Sequence, residues 1–171
     1  RYVDATSYGG LLREGAVQVR SVDPDALILL AALAPNVEPG GLNQSDMIYL
    51  EALYASGFAP WFDAVAAQPY GFDRPPNDAP VADTLNFRRA ELLRQVMVSR
   101  GDSQTPIWLS AFGWHSAIGD TLSAWHSVAP EVQAAWAVDA LEWARREWAW
   151  TAGLGWAAWQ PPQPAGDPRW G

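Results

Sequence analysis

Apolar residues in this chain fall into two rhythms that alternate along its length. Residues 26–33, ALILLAAL, are an unbroken apolar run of strand length, as expected for a strand covered on both faces. Before it, RYVDATSYGGLLREGAVQVR places Leu12, Ala16 and Val19 at helical spacing and predicts a helix ending near Val22, ahead of the turn signal Asp23-Pro24. After the loop APNVEPGGLNQ, Ser45 is placed to cap a helix with Met47, Leu50, Leu53 and Tyr54 on one side and Gly57 as its stop. A strand near Asp63 to Gln68 runs into Pro69, and the loop DRPPNDAPVAD leads to a helix capped by Thr84. That helix carries Leu85, Leu92, Leu93, Val96 and Met97 on its apolar face and ends at Gly101.

The second half repeats the alternation. Ile107 to Phe112 reads as a strand, Pro130 opens a long helix over PEVQAAWAVDALEWARREWAW, and Leu154 to Trp159 reads as a strand stopped by two prolines. On the long helix, Ala134, Val138, Leu141, Ala144 and Trp148 are predicted to face the sheet. Trp136, Trp143 and Trp150, spaced by sevens, then point the other way, and such a stripe predicts cover by another chain or domain.

The order α-β-α-β-α-β-α-β points to parallel βαβ units with right-handed crossovers. Two architectures fit: an open doubly wound sheet, or half of a (β/α)8 barrel. The turn after the first strand has no G-x-G-x-x-G, and the chain contains no lysine to serve a phosphate loop, so dinucleotide binding is disfavoured.

Composition narrows the function further. With 171 residues, 49% of them hydrophobic, one globular domain over residues 1–171 is expected. A formal net charge of -8, with no basic cluster, argues against nucleic acid. No cysteine is present, and His115 and His126 lie eleven positions apart, so no metal site and no cofactor are expected. No apolar run is long enough to span a bilayer, and the N-terminus lacks the charged and apolar regions of a signal peptide. The chain starts at Arg1 rather than Met, so that absence weighs little, and a secreted or cell-surface location is the expectation. One sequon, Asn43-Gln44-Ser45, is short enough to arise by chance.

Parallel α/β proteins bind ligands beyond the carboxyl ends of their strands. Those ends carry Asn36, then Gln68 and Tyr70, then Ala111 followed by Trp114 and His115, then Trp159 and Gln160. Aromatic faces beside amides and an imidazole suit sugars, whose C–H patches stack on rings while their hydroxyls seek polar partners. The plainer alternative is that these rings cap the rim, since 11 tryptophans leave few loops without one.

The run APN, then YLEALYASGFAPWFDAVAAQPYGFDRPP, NFRRAELLRQVMVSRGDSQTPIWLSAFGW and GLGWAAWQ, resembles the C-terminal half of clan A glycoside hydrolases, nearest the family of β-xylosidases and α-iduronidases. The resemblance implies a partial TIM barrel of the (β/α)8 type, about strands five to eight, with carbohydrate as ligand. It also implies an acid in an Asn-Glu-Pro motif on strand four, expected upstream of Arg1. In the family the chain resembles, a nucleophilic glutamate ends strand seven, roughly 5 to 5.5 Å from the acid in a retaining enzyme. The family's Thr/Ser-Glu-Phe-Gly-Trp reads here Ser110-Ala111-Phe112-Gly113-Trp114, so Ala111 stands at the nucleophile's position, and His-Pro-Tyr reads Gln68-Pro69-Tyr70.

A methyl group neither attacks carbon nor stabilises an oxocarbenium charge, so the chain as given is expected to be a pseudoenzyme. Glu38, Asp46, Asp73 and Asp78 sit in loops or at helix starts and read as solvated or capping charges, while Asp63 sits at the amino end of its strand, on the stability face. An engineered Glu-to-Ala change alters one position and natural loss several; Gln68 together with Ala111 fits natural loss. A half barrel also leaves strand edges and an interior to be covered, so the missing half or another protein chain is the expected partner. The competing reading is a structural or interaction protein that uses the scaffold and its Trp-rich surface for assembly.

Overall fold

The structure, a computed structural model, describes residues 4–116 and 126–157. Helix α1 (Ala5–Val22) is capped by Asp4, whose carboxylate accepts the backbone N–H of Ser7 at 2.9 Å and its hydroxyl at 2.7 Å. Gly9 is required within it, because a Cβ there would sit 2.2 Å from the Phe58 ring. Then follow α2 (Asp46–Ala55), a short 3-10 turn (Ala59–Trp61), β1 (Val65–Ala67), α3 (Arg89–Ser99), β2 (Ile107–Phe112), α4 (Pro130–Glu147) and β3 (Thr151–Trp156). No helix among the described residues is long and apolar enough to cross a membrane.

The sheet runs β1-β2-β3, every pair parallel. The run at 26–33 lies outside β1 as an extended segment, bridged in parallel at Leu29–Ala64 and Leu33–Ala67. It is not the continuous strand its sequence predicts. Leu30 and Leu33 are both buried although three residues apart, so the period-two alternation slips between them, and the N–H of Ala31 is taken by the Tyr8 hydroxyl of α1 at 2.8 Å. Four parallel segments thus stand side by side in chain order without the reversal of a doubly wound sheet, which is the arrangement of a partial TIM barrel.

Register sorts the side chains by face. Val65 pairs with Ile107 and Ala67 with Leu109, and all four are buried on the helix side. Ala66 pairs with Trp108 on the opposite, open face, where Trp108 stays 42% exposed and leans on Gly153. Leu27 and Leu29 are exposed as well.

Three boundaries differ from the sequence reading. Helix α3 starts at Arg89 rather than just after Thr84, because the preceding residues are held as a loop: Asn86 donates to the Ala79 carbonyl at 2.9 Å and Arg89 to the Thr84 carbonyl at 3.2 Å. Its end is as expected, with Gly101 at φ 82°. Helix α4 stops at Glu147 instead of reaching Trp150, since Thr151 N–H closes a turn onto the Trp148 carbonyl at 3.0 Å. Strand β3 consequently begins at Thr151 and ends at Trp156, three residues earlier than the apolar run suggests.

The face of α4 is also rotated from the expectation. Ala140, Ala144 and Trp148 are buried, whereas Val138 and Leu141 are exposed. Ala134 is exposed too, while the rings of Trp136, Trp143 and Trp150 are partly buried against the core. Trp136 meets Trp114 edge-on at 5.8 Å, Trp148 stacks on Phe87 at 4.9 Å and on Trp150 at 5.1 Å, and the Arg88 guanidinium lies 4.4 Å over Trp143. The predicted tryptophan stripe is therefore covered largely by its own chain.

At the amino end of the sheet, Asp63 accepts the Ile28 N–H at 2.7 Å and pairs with Arg20 at 2.8 Å. The Ile28 N–H, with help from Arg20 and against partial burial, holds this carboxyl below its ordinary value. A depressed carboxyl contributes stability above its unfolded value, about 3.9, and loses it as pH falls through the folded one. Asp63→Asn should therefore cost about 1–2 kcal/mol at pH 7, roughly 3–6 °C in melting temperature, with the gap to the parent narrowing towards pH 3 in parallel melts.

Candidate functional site

Beyond the strand ends, the chain after β1 continues alongside the chain after β2. Tyr70 bridges Gly113 in parallel, and the Gly71 N–H donates to the Gly113 carbonyl at 2.9 Å. Both glycines are needed there. A Cβ on Gly71 would lie 1.9 Å from the Trp114 indole, and Gly113, at φ 149°, backs onto the Trp156 ring. Gln68-Pro69-Tyr70-Gly71 and Ala111-Phe112-Gly113 are thereby brought to one rim.

Ala111 owes its direction to a bulge. Leu109 pairs with Leu154 and Phe112 with Trp156, so Ser110 and Ala111 together face the single residue Gly155. Leu109 and Phe112 are buried on the helix side, while Ser110 is exposed and Ala111 half-exposed, so both turn away from the core. Gly155 makes room: a Cβ on it would lie 2.8 Å from the Ser110 carbonyl oxygen. The Ser110 hydroxyl donates to the Ala67 carbonyl at 3.3 Å, fastening the bulge to β1.

The other sequence-predicted site residues take different positions. Tyr70 is half-buried, and burial raises its phenol above the ordinary value. His115 is half-buried, with its carbonyl accepting the Val128 N–H at 2.8 Å. Gln68 is half-buried beside them, its N–H paired to the Leu33 carbonyl at 3.1 Å. Asn36 stands on the same rim; its side-chain oxygen accepts the Glu38 N–H at 2.7 Å in an Asx turn.

Trp114, expected as a sugar platform, is 4% exposed. Its indole N–H donates to the Arg74 carbonyl at 2.8 Å, and its ring is enclosed by Gly71, Phe87 and Trp136. It walls the rim from behind rather than offering an open face. Trp159 and Gln160 lie outside the described residues.

Trp156 is the aromatic that the sequence reading passed over. It ends β3, meets Phe112 edge-on at 5.4 Å and remains 38% exposed. The alternate glycines Gly153 and Gly155 after β-branched Thr151 were the available signal, since they mark a strand with close cross-strand approach and move its end back to Trp156.

Each loop carboxylate has a structural partner. Glu38 accepts the Asn43 amide at 2.9 Å, Asp73 pairs with His126 at 3.4 Å, and Asp78 accepts from Arg74 at 3.2 Å and Asn86 at 2.8 Å. Asp46 is no solvated loop charge; it is buried against Arg89. Among the described residues, no three His, Cys, Asp or Glu side chains are gathered to hold a metal ion.

No known protein-family profile matches the chain, and no curated protein does. Among solved structures it is similar to a GH113 beta-1,4-mannanase, with a TM-score of 0.50 and 18% identity, over 86% of this chain and 40% of that one. The chain thus spans less than half of that protein's length. At this identity the likeness establishes the fold alone, that of a partial TIM barrel.

Gly155→Ala should disrupt the bulge and destabilise the protein by about 1–3 kcal/mol. Gly10→Ala, in α1 with open space around it, should stabilise by about 0.5–1 kcal/mol. Thermal melts of the two variants beside the parent test the contrast.

Proposed function

We propose that this chain is the strand-five-to-eight half of a clan A glycoside hydrolase related to the β-xylosidase and α-iduronidase family, retaining a carbohydrate-binding rim but lacking its nucleophile. The carrying observation is the bulge that turns Ala111 from the core towards the rim shared by Tyr70, Gly113 and Trp156. Bulges re-aim side chains beside active sites, and a carboxylate in place of the methyl would point where a reacting sugar carbon would lie. With alanine there, no glycosyl-enzyme bond can form, and the chain as given is catalytically silent.

Binding remains chemically reasonable. The exposed part of Trp156 offers a stacking surface for the C–H face of a sugar, and elsewhere along the strand ends Asn36, Gln68, Tyr70 and His115 supply amide, phenol and imidazole groups suited to hydroxyls. The partner that completes the barrel is the missing half or another chain, and the exposed Leu27, Leu29 and Trp108 on the open sheet face support such a covering. Those same residues favour the second reading, a non-catalytic assembly protein whose scaffold binds protein rather than sugar.

Titration with xylo- and manno-oligosaccharides, followed by tryptophan fluorescence, separates the two. Saturable quenching that falls at least tenfold in apparent affinity in Trp156→Ala supports the carbohydrate reading; silence towards every sugar favours assembly. Ala111→Glu, in a protein that also carries the strand-four acid, should recover aryl-glycoside hydrolysis, and continued inactivity there would count against the assignment of this position.

A further inference from the structure

Beneath the rim, Arg89 is 1% exposed and Asp46 4% exposed, and the two form a buried ion pair between the first turn of α3 and the first turn of α2. The guanidinium Nε lies 3.0 Å from each Asp46 oxygen, and Nη2 donates to Asp46 Oδ1 at 2.6 Å. The remaining N–H groups reach outward. Nη2 donates to the Asn36 carbonyl at 2.8 Å and the Ser45 hydroxyl at 3.3 Å, and Nη1 to the carbonyls of Ala82 at 3.0 Å and Thr84 at 3.2 Å.

Helix formation alone gives no reason for this arginine. A cation at a helix N-terminus opposes the helix dipole, and a buried ion pair is often no more stabilising than apolar side chains of the same volume. What a planar guanidinium adds is direction, with five N–H groups in a fixed fork that reaches several acceptors at once. Here the acceptors belong to the loop after the first extended segment and to the proline-rich loop after β1. Pro35, Gln68 and Pro69 close over the pair in a crevice with no room for water.

We infer that Arg89, oriented by Asp46, is a positioning residue of the rim: it fixes the main chain at Asn36 and the loop at 77–88 relative to Gln68. This inference rests on the carbohydrate reading for its consequence in binding, but the holding of the loops can be measured without any sugar. Arg89 does not touch the sugar itself; it acts through Asn36 and the loop carbonyls.

Arg89→Lys keeps the charge and loses the fork. Amide hydrogen exchange in Arg89→Lys should quicken about tenfold or more in residues 36–45 and 77–88, with β2 and α1 amides unchanged. Affinity for whichever oligosaccharide quenches the parent's fluorescence should fall about tenfold, while Asp46→Glu, which preserves the charge pair, should show smaller losses in both readouts. Unchanged loop exchange would overturn the inference, as would loosening spread evenly over the whole fold, or loose loops with undiminished sugar affinity. Should Arg89→Lys not fold, Asp46→Glu and Asp46→Asn carry the same comparison, with the larger loop exchange expected in Asn. If the parent binds no sugar, the carbohydrate reading fails by itself, and the exchange pattern alone decides whether Arg89 holds the loops.

Discussion

Val65 donates its N–H to the Pro106 carbonyl at 3.0 Å, and Ile107 donates to the Trp150 carbonyl at 3.1 Å, so β2 is tied to both neighbouring strands from its first residue. Parallel pairing of this kind leaves helices as the only compact way back across the sheet, and it turns Ile107 and Leu109 into the floor against which Phe87, Ala140, Ala144 and Trp148 gather. The rim inherits its layout from the same pairing. Because the ladder is in register at Leu109 and again at Phe112, the extra residue must be absorbed between them, and Ala111 is displaced from the core as a result.

Much of this order is legible in the amino-acid sequence. Short apolar runs punctuated by proline and glycine locate β1, β2 and all four helices, and Pro130 and Gly101 mark helix ends for local reasons that tertiary packing does not override. The failures share a cause. The apolar set of α4 admits two faces, and tertiary partners, Trp114 for Trp136 and Arg88 for Trp143, decide that these indoles rather than Val138 and Leu141 find cover. For β3, Ala157, Ala158 and Trp159 look as strand-like as Thr151 and Ala152, and the hydrogen bond from Ile107 to Trp150 is what sets the start.

The same contrast applies to the candidate site. Gln68, Tyr70 and Ala111 are found at the rim because strand ends can be read from where apolar runs stop. Trp114 misleads, since a tryptophan beside glycines looks like an open ligand surface while the glycine it needs, Gly71, is there to let it sink into the interior. Arg89 was invisible as a rim residue, being one more charge at the start of a helix; its importance lies in partners 43 and 53 positions away in the chain, which no local pattern reveals.

Trp108 leans over Gly153 while its other neighbour in register is Ala66, so a single indole supplies nearly all the side-chain volume at that level of the open face. Barrel interiors are filled in layers to close-packed density, so the side chains of one layer must share a fixed volume. In the complete barrel proposed above, the strands closing over this face would have to offer small side chains opposite Trp108, and a change of size on either side would call for a compensating change on the other. Two stretches of polypeptide that share no peptide segment at this level would be bound to evolve as one.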